Sequence, residues 1–512
     1  MRFNIIIGGK AGQGINTLSQ IVSSTLINYG YYVFNYRDYP SIIRGGHNFN
    51  VLSISDKQIE SHESKADVIV ALDETTKETH KDSLKKGGIM IDYKGFLKYG
   101  LNLNIALAGA LIKILGIDEK YLIEEVKKDM KGKPSYESAL KSASEGYSQY
   151  KSKLNLKQLD NKLTLISGNT AVAIGSVNSK LDLYIAYPMT PTTNALNEIA
   201  GMQEKYGHMA FQAEGEISVA NMAMGASFAG ARVMVGTSGG GFDLMSETLS
   251  FQGVSEIPLT VYLGSRVGPG TGFPTYTMQG DLDVALRAGH GEFPRIVIAP
   301  GNPKETIEKV NEALYLSQKY RCLSILLSDK HIAESEFSHK GKVNKILPVN
   351  VTRIVPGEEN VVVKASSYEQ NEYGLTTEEA KYGIKNNDAR MKKYEEIKKE
   401  CKKFEMIKIH GNKKSKNLII GWGSPRGAIL DAIERMDFKF LQVLYMKPLS
   451  EKIRDEIKKA KNVLLIENNL TGQLGRLIRE RFGIKIENRL LKYDGRPFTS
   501  DEINNYLVKL KW

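Results

Sequence analysis

Leu183-Tyr184-Ile185-Ala186-Tyr187-Pro188-Met189-Thr190-Pro191-Thr192-Thr193 is the stretch on which the reading of the chain turns. Four apolar residues make a buried-strand pattern, and two prolines then impose a rigid turn carrying three threonine hydroxyls. Leu196–Tyr206 follows as a helix. The same strand–loop–helix order recurs downstream. Ala210-Phe211-Gln212 leads to Ala213-Glu214-Gly215-Glu216 and a helix over Ile217–Ala231. Val233–Gly236 leads to a glycine loop, Thr237–Phe242, and a helix over Leu244–Phe251. Leu259–Leu263 leads to Ser265-Arg266-Val267-Gly268-Pro269-Gly270-Thr271-Gly272-Phe273-Pro274-Thr275. Such alternation predicts an α/β fold with mostly parallel sheets and helices on both faces. Ligands of these folds bind where strand carboxyl ends meet their loops, and all of these motifs fall there.

Upstream, Phe3-Asn4-Ile5-Ile6-Ile7 is a strand pattern that runs into Gly8-Gly9-Lys10-Ala11-Gly12-Gln13-Gly14 and a helix from Ile15. A strand, glycine turn and helix can aim backbone N–H groups at a phosphate, but a tight turn alone explains the glycines equally well. The glycine order is neither the dinucleotide fingerprint nor a P-loop. Pro40-Ser41-Ile42-Ile43-Arg44-Gly45-Gly46-His47 is a second glycine loop beside a cation. Downstream, Leu418-Ile419-Ile420-Gly421-Trp422-Gly423 opens another strand-and-turn series. The segments expected are residues 1–155, 163–340, a charged excursion over 341–416, and 417–512.

Composition narrows the function. The two cysteines, Cys322 and Cys401, form no Cys-x-x-Cys pair, so no disulfide framework, zinc site or cluster within the chain is expected. The eight histidines show no ligand spacing, and no metal is assigned to this chain. Of the net charge of +12, +8 lies between Lys381 and Lys416, where 13 Lys/Arg face 5 Asp/Glu. No aromatic or helix-turn-helix pattern accompanies it, so a solvated linker helix is expected rather than a nucleic-acid surface. A docking surface for an acidic partner or a polyphosphate is the other reading. The apolar run Ile105–Leu115 is too short to span a bilayer, and Met1–Ile7 lacks a signal-peptide core. A cytoplasmic protein is the expectation.

The helix after Glu216 is rich in small residues (Ala220, Ala223, Gly225, Ala226, Ala229, Gly230) and apolar almost all round, so it is expected to be buried. A carboxylate at its mouth is costly without a partner. Glu216 is thus either an ordinary helix-start glutamate or a group poised against a heterocyclic nitrogen.

The chain resembles the 2-oxoacid:ferredoxin oxidoreductases, as a fusion of their γ and α parts. The family's Tyr-Pro-Ile-Thr-Pro-Ser motif appears as Tyr187–Thr192. Its Arg-x-Gly-Pro-Ser-Thr-Gly-x-Pro-Thr loop appears as Arg266–Thr275, with Asp281 shortly after. Glu467-Asn468-Asn469-Leu470-Thr471-Gly472-Gln473-Leu474, Tyr493–Phe498, and Gly12–Gly14 with Arg44–Gly46 match further motifs. The resemblance implies three parallel-sheet α/β domains: a γ-type domain, a pyrimidine-binding-type thiamine diphosphate domain and a transketolase C-terminal-like domain. It implies thiamine-diphosphate-dependent oxidative decarboxylation of a 2-oxoacid to acyl-CoA and carbon dioxide, with electrons passed to ferredoxin. Pyruvate and 2-oxoglutarate are the best-known substrates of this class.

It also implies roles. Glu216 would hydrogen-bond the aminopyrimidine of thiamine diphosphate. Thr190 would lie beside the substrate, and Arg266 would hold its carboxylate. Tyr187, Pro188 and Thr271 would line the same pocket. Gly9, Gly12 and Gly14 would touch coenzyme A. No Gly-Asp-Gly segment or cluster cysteine is present. The family carries the cofactor diphosphate, Mg²⁺ and an iron–sulfur ([4Fe-4S]) cluster on a separate β subunit, so an obligate αβ or (αβ)2 complex is implied. Met189, Thr192 and Gly270 depart from the family pattern and bear on specificity. Two other readings are a dehydrogenase using the N-terminal turn, with Asp38 on a ribose, and a non-catalytic scaffold subunit.

Overall fold

The computed structural model describes residues 1–42, 45–341, 346–351, 364–510 and 512, which excludes Arg44. The described residues build three sheets of seven, seven and five strands. The second holds the motif-bearing turns. Its order is Tyr445–Lys447, Arg295–Ile298, Leu323–Asp329, Leu259–Ser265, Val233–Thr237, Leu183–Ala186, Met209–Gln212. Every pairing is parallel except that of Tyr445–Lys447. Val235, Val261, Leu263, Ile325 and Leu327 are fully buried, as expected for strands covered on both faces.

The third sheet runs Ile407–Gly411, Lys439–Val443, Asn417–Gly421, Asn462–Glu467, Asn488–Leu491, parallel apart from its first strand. The α/β class therefore holds throughout, but the first sheet departs from the expected parallel order. Tyr32–Asp38 and Gly45–Ser55 pair antiparallel because the short connection between them cannot make a crossover. Only Ala66–Ala71 and Leu84–Asp92 extend Arg2–Ala11 in parallel. Leu163–Ser167 and Glu336–Lys340 also join this sheet, antiparallel to each other, so the chain between them starts and ends in the first sheet while building the second.

Tyr93–Leu115 meets the length and hydropathy of a membrane span, but it is kinked at Gly100 (φ 52°). Its Leu103–Leu115 part lies almost wholly in the first core, packed on the helix Tyr136–Ser148 so closely that a Cβ on Gly146 would meet the Ala106 carbonyl. The basic helix Ala380–Cys401 buries Ile397, Glu400 and Cys401 in its last turns, while Lys393 pairs with Glu256 and Arg390 with Glu369 further up. Cys401 joins Cys322, Ile298, Leu316 and Tyr445 in one apolar cluster, which ties this helix to both the second and third units.

Candidate active site

The Tyr187–Thr193 turn is held from several sides. Thr192 donates from its amide (2.9 Å) and from Oγ1 (3.0 Å) to the Met189 carbonyl, closing the turn on itself. Asn169 Nδ2 donates to the Pro191 carbonyl at 2.9 Å, and the buried Tyr262 hydroxyl fixes that asparagine by donating to its Oδ1 at 3.0 Å. Gly264 lies so close beneath that a Cβ there would sit 2.7 Å from Thr192 Cγ2. Two residues beyond it, Arg266 reaches back and donates from Nη1 to the Thr190 carbonyl at 3.0 Å. The structure thus brings Thr190 and Arg266 together, with Tyr187 partly exposed at the rim.

Glu216 is the first residue of the helix Glu216–Phe228 and is 6% exposed. Its Oε1 is buried and finds no hydrogen-bond donor among the described residues. The expected glycine loop after Val233–Thr237 is instead the first turn of a helix, Gly239–Leu244. Its glycines make room for carboxylates. A Cβ on Gly241 would lie 2.7 Å from Glu216 Oε1, and one on Gly239 would lie 2.7 Å from Asp281 Oδ2.

Asp281 accepts from Ser265 Oγ at 2.7 Å. Burial pushes its carboxyl up to about 6 and Asp243 adds to this, against the opposing pull of Ser265 and Arg266. Burial lowers the Arg266 guanidinium, while Asp281 and Glu216 work in the other direction. The three charges form one electrostatic unit around a partly desolvated cation.

The support for Asp281 was not foreseen from sequence. The Gln279 amide donates to the Asn468 carbonyl (2.7 Å), its Oε1 accepts from the Asn468 amide (2.8 Å), and its Nε2 donates to the Trp422 carbonyl (2.8 Å). Asn469 Nδ2 donates to the Gln279 carbonyl (3.2 Å), and Gln473 bridges the Gly280 carbonyl (2.8 Å) and the Leu282 amide (3.1 Å). Glu467 anchors this node by accepting from Trp422 Nε1, Asn469 Nδ2 and the amides of Leu474 and Gly475. The Glu-Asn-Asn-x-Thr-Gly-Gln run thus holds the loop that carries Asp281. The run itself was the only available signal, because its partners lie about 190 residues away in sequence.

The Arg266–Thr275 loop is shared by all three units. Gly272 (φ 51°) packs where a Cβ would meet the Val267 carbonyl, so no other residue fits there without a rearrangement. Thr275 Oγ1 donates to the Tyr39 carbonyl (2.7 Å), and the Thr277 amide donates to the Gly495 carbonyl (3.1 Å). Arg496 stacks 3.9 Å over Tyr276 and pairs with Asp38 at 3.2 Å. Asp38 is buried and also accepts from Tyr36, so it is committed to this junction and not open to a ribose. Thr271 is exposed at the loop tip. In the N-terminal turn, Gly9 is part of the strand ladder opposite Asn48, whereas Gly12 and Gly14 take positive φ and Gly12 is open. Among the described residues this turn makes no hydrogen bond or ion pair with Thr190, Glu216 or Arg266.

The helix after Glu216 is not buried all round. Ile217, Asn221, Met222, Gly225 and Phe228 are exposed, and a Cβ on Gly225 would meet nothing. Phe211 and Met209 of the neighbouring edge strand, and Leu244, are exposed as well. Apolar residues on all sides of this helix signify an unpartnered face as much as a core, and composition alone does not separate the two.

The orphaned Glu216 oxygen suits a donor on a ligand, so this residue fits the aminopyrimidine end of thiamine diphosphate. Residues 174–410 match the family model for pyruvate flavodoxin/ferredoxin oxidoreductase, thiamine-diphosphate-binding, and residues 4–97 that for pyruvate ferredoxin/flavodoxin oxidoreductase. The 2-oxoacid:ferredoxin oxidoreductase subunit alpha of Sulfolobus sp is 31% identical, the alignment covering 100% of this chain and 97% of that one. The chain belongs to the 2-oxoacid:ferredoxin oxidoreductase alpha subunits. The subunit is also 31% identical to the 2-oxoglutarate oxidoreductase subunit KorA of Mycobacterium tuberculosis over 67% of its length and 56% of the relative's. The solved 2-oxoglutarate:ferredoxin oxidoreductase of Magnetococcus marinus, with 2-oxoglutarate, coenzyme A and succinyl-CoA bound, superposes with a TM-score of 0.88 at 25% identity, covering 99% of both chains.

Proposed function

We propose that this chain supplies the substrate-holding and pyrimidine-activating half of a 2-oxoacid:ferredoxin oxidoreductase, acting in the cytoplasm with a β subunit as αβ or (αβ)2. The observation that carries the reading is the buried Glu216 Oε1, without a donor among the described residues, near the partly desolvated Arg266. Thiamine diphosphate, when bound, supplies the nucleophile and electron sink for loss of carbon dioxide from a 2-oxoacid. Glu216 accepts a hydrogen bond from the ring and fixes where its proton sits. Arg266, restrained by Thr190 and the Asp281 charge, binds the substrate carboxylate with the strength of an ion pair removed from bulk water. Tyr187, Pro188, Thr190 and Thr271 shape the pocket wall.

The diphosphate, Mg²⁺ and an iron–sulfur cluster are assigned to the β subunit, whose seat is the exposed apolar face of the helix Glu216–Phe228. Gly12 and Gly14 are assigned to coenzyme A. Assay of the reconstituted αβ complex with Glu216→Gln tests the proposal. Loss of 2-oxoacid-dependent dye reduction with the complex intact supports it, and unchanged turnover overturns it.

A further inference from the structure

A cavity of 930 Å³ lies between the end of the basic helix Ala380–Cys401, the strand Tyr445–Lys447 with the turn after it, and the helices Leu282–Arg287 and Gln473–Phe482. None of Thr190, Glu216, Arg266, Asp281 or the N-terminal glycines lines it. Its charges do not balance. Four carboxylates face it and each already has a cation: Glu395 with Lys398 (2.6 Å), Glu405 with Lys408 (3.2 Å), Glu451 with Arg481 (3.0 Å) and Glu480 with Arg287 (2.5 Å). Lys399, Lys402, Lys447 and Lys452 remain, and among the described residues none of them makes an ion pair.

Lys399, Lys402 and Lys452 are exposed, as unpaired surface lysines commonly are. Lys447 is different. It is half-buried, and burial together with Arg295 and Arg287 brings its ammonium down to about 8. Arg295 lies behind the wall, 3% exposed and stacked on Phe293, and among the described residues its Nε finds no acceptor. Among those residues only Glu480, itself paired with Arg287, opposes the positive charge on Lys447, so a further anion in the cavity would relieve it. Apart from Ser450 the rest of the wall is apolar or aromatic, with Phe404, Met406, Met446, Leu477 and Tyr394, whose ring Lys398 and Lys447 approach at 4.6 and 6.0 Å.

We propose that this cavity binds a nucleotide, its phosphates on Lys447, Lys399 and Lys402 and its base against the aromatic and methionine wall. The volume is that of a small-molecule pocket, and Lys447 is recessed where a flat acidic protein surface would not reach it. A nucleotide here would lie at one end of the helix Leu282–Arg287, whose other end follows Asp281.

The test is calorimetric titration of the αβ complex with ATP in the absence of Mg²⁺, with inorganic pyrophosphate and adenosine as separate arms. ATP is expected to bind at one site per chain, more tightly than pyrophosphate or adenosine alone. Lys447→Met weakens it by at least about tenfold, and the exposed pair Lys399→Gln with Lys402→Gln weakens it by a few-fold. Affinity falls as pH rises through about 8, because the free-state Lys447 ammonium is lost there. Turnover of 2-oxoacid without nucleotide is unchanged in each variant. No binding of ATP, equal binding by Lys447→Met, or pyrophosphate binding as tightly as ATP overturns the assignment. So does an acidic protein that binds the wild type and both variants equally while ATP does not compete.

Discussion

Two buried glutamates, Glu216 and Glu467, stand beside helix N-termini in neighbouring units and are used in opposite ways. Glu467 is fully buried and accepts four hydrogen bonds, two of them from the first-turn amides of Gln473–Phe482. Glu216 is nearly as buried, yet among the described residues Oε1 has no donor. A saturated carboxylate holds structure, because any movement breaks several bonds at once. An orphaned one is a stored demand for a partner, and it costs stability until a ligand meets it. Both sit beside glycines, so the difference lies in how many donors point at each.

The largest expected effect separates the two by activity. Glu216→Gln in the αβ complex is expected to lower turnover by about 10²–10⁴-fold. Its Tm should be unchanged or slightly higher, since an unsatisfied charge is removed; thermal melts and steady-state assays measure both. Glu467→Ala should do the reverse. Leaving Trp422, Asn469 and two amides without an acceptor is expected to cost roughly 3 kcal/mol or more in denaturant titration. Any loss of activity should follow the population unfolded.

Arg266→Ala comes next. Loss of a charge-assisted contact to the substrate is worth about 2–3 kcal/mol, or roughly 30–150-fold in kcat/KM for the 2-oxoacid. Steady-state kinetics over substrate concentration would show it, with KM carrying most of the change.

Asp281→Asn sharpens the comparison at smaller scale. Its folded pKa of about 6 lies above the ordinary value, so the native state binds a proton that the unfolded state has lost. Its contribution to stability is complete below about pH 4 and disappears as pH rises through 6. Asp281→Asn is therefore expected to stabilise the chain by up to about 3 kcal/mol at pH 8 and by nothing at pH 4, as melts at both pH values would read. It should also change the KM for the 2-oxoacid, because the Asp281 charge acts on Arg266. A gain in stability paired with a change in KM would mark Asp281 as belonging with Glu216 rather than with Glu467.

The legible part of this molecule was local. The strand Leu183–Ala186 and the turn after it follow from an apolar run stopped by prolines, and Glu216 and Arg266 fall at strand ends where parallel sheets bind ligands. The rest depends on long-range pairing, which leaves little trace in sequence. Glu336–Lys340 alternates polar and apolar residues like many strands, and nothing in it says that it joins the first sheet rather than the second. The clamp on Asp281 is written in Asn and Gln side chains, whose bonding partners are set only once two units have docked. Helix Glu216–Phe228 misled because an exposed apolar face carries the same residues as a core.

The edge strand Met209–Gln212 has a consequence for biogenesis. It ends the second sheet with Met209 and Phe211 exposed beside the apolar helix face, a ready template for strand addition by another chain. A newly made subunit that meets its own kind before its β partner has an adhesive edge on display. Paired translation, or a holding chaperone until assembly, would then set the yield of soluble enzyme as much as the stability of the finished fold.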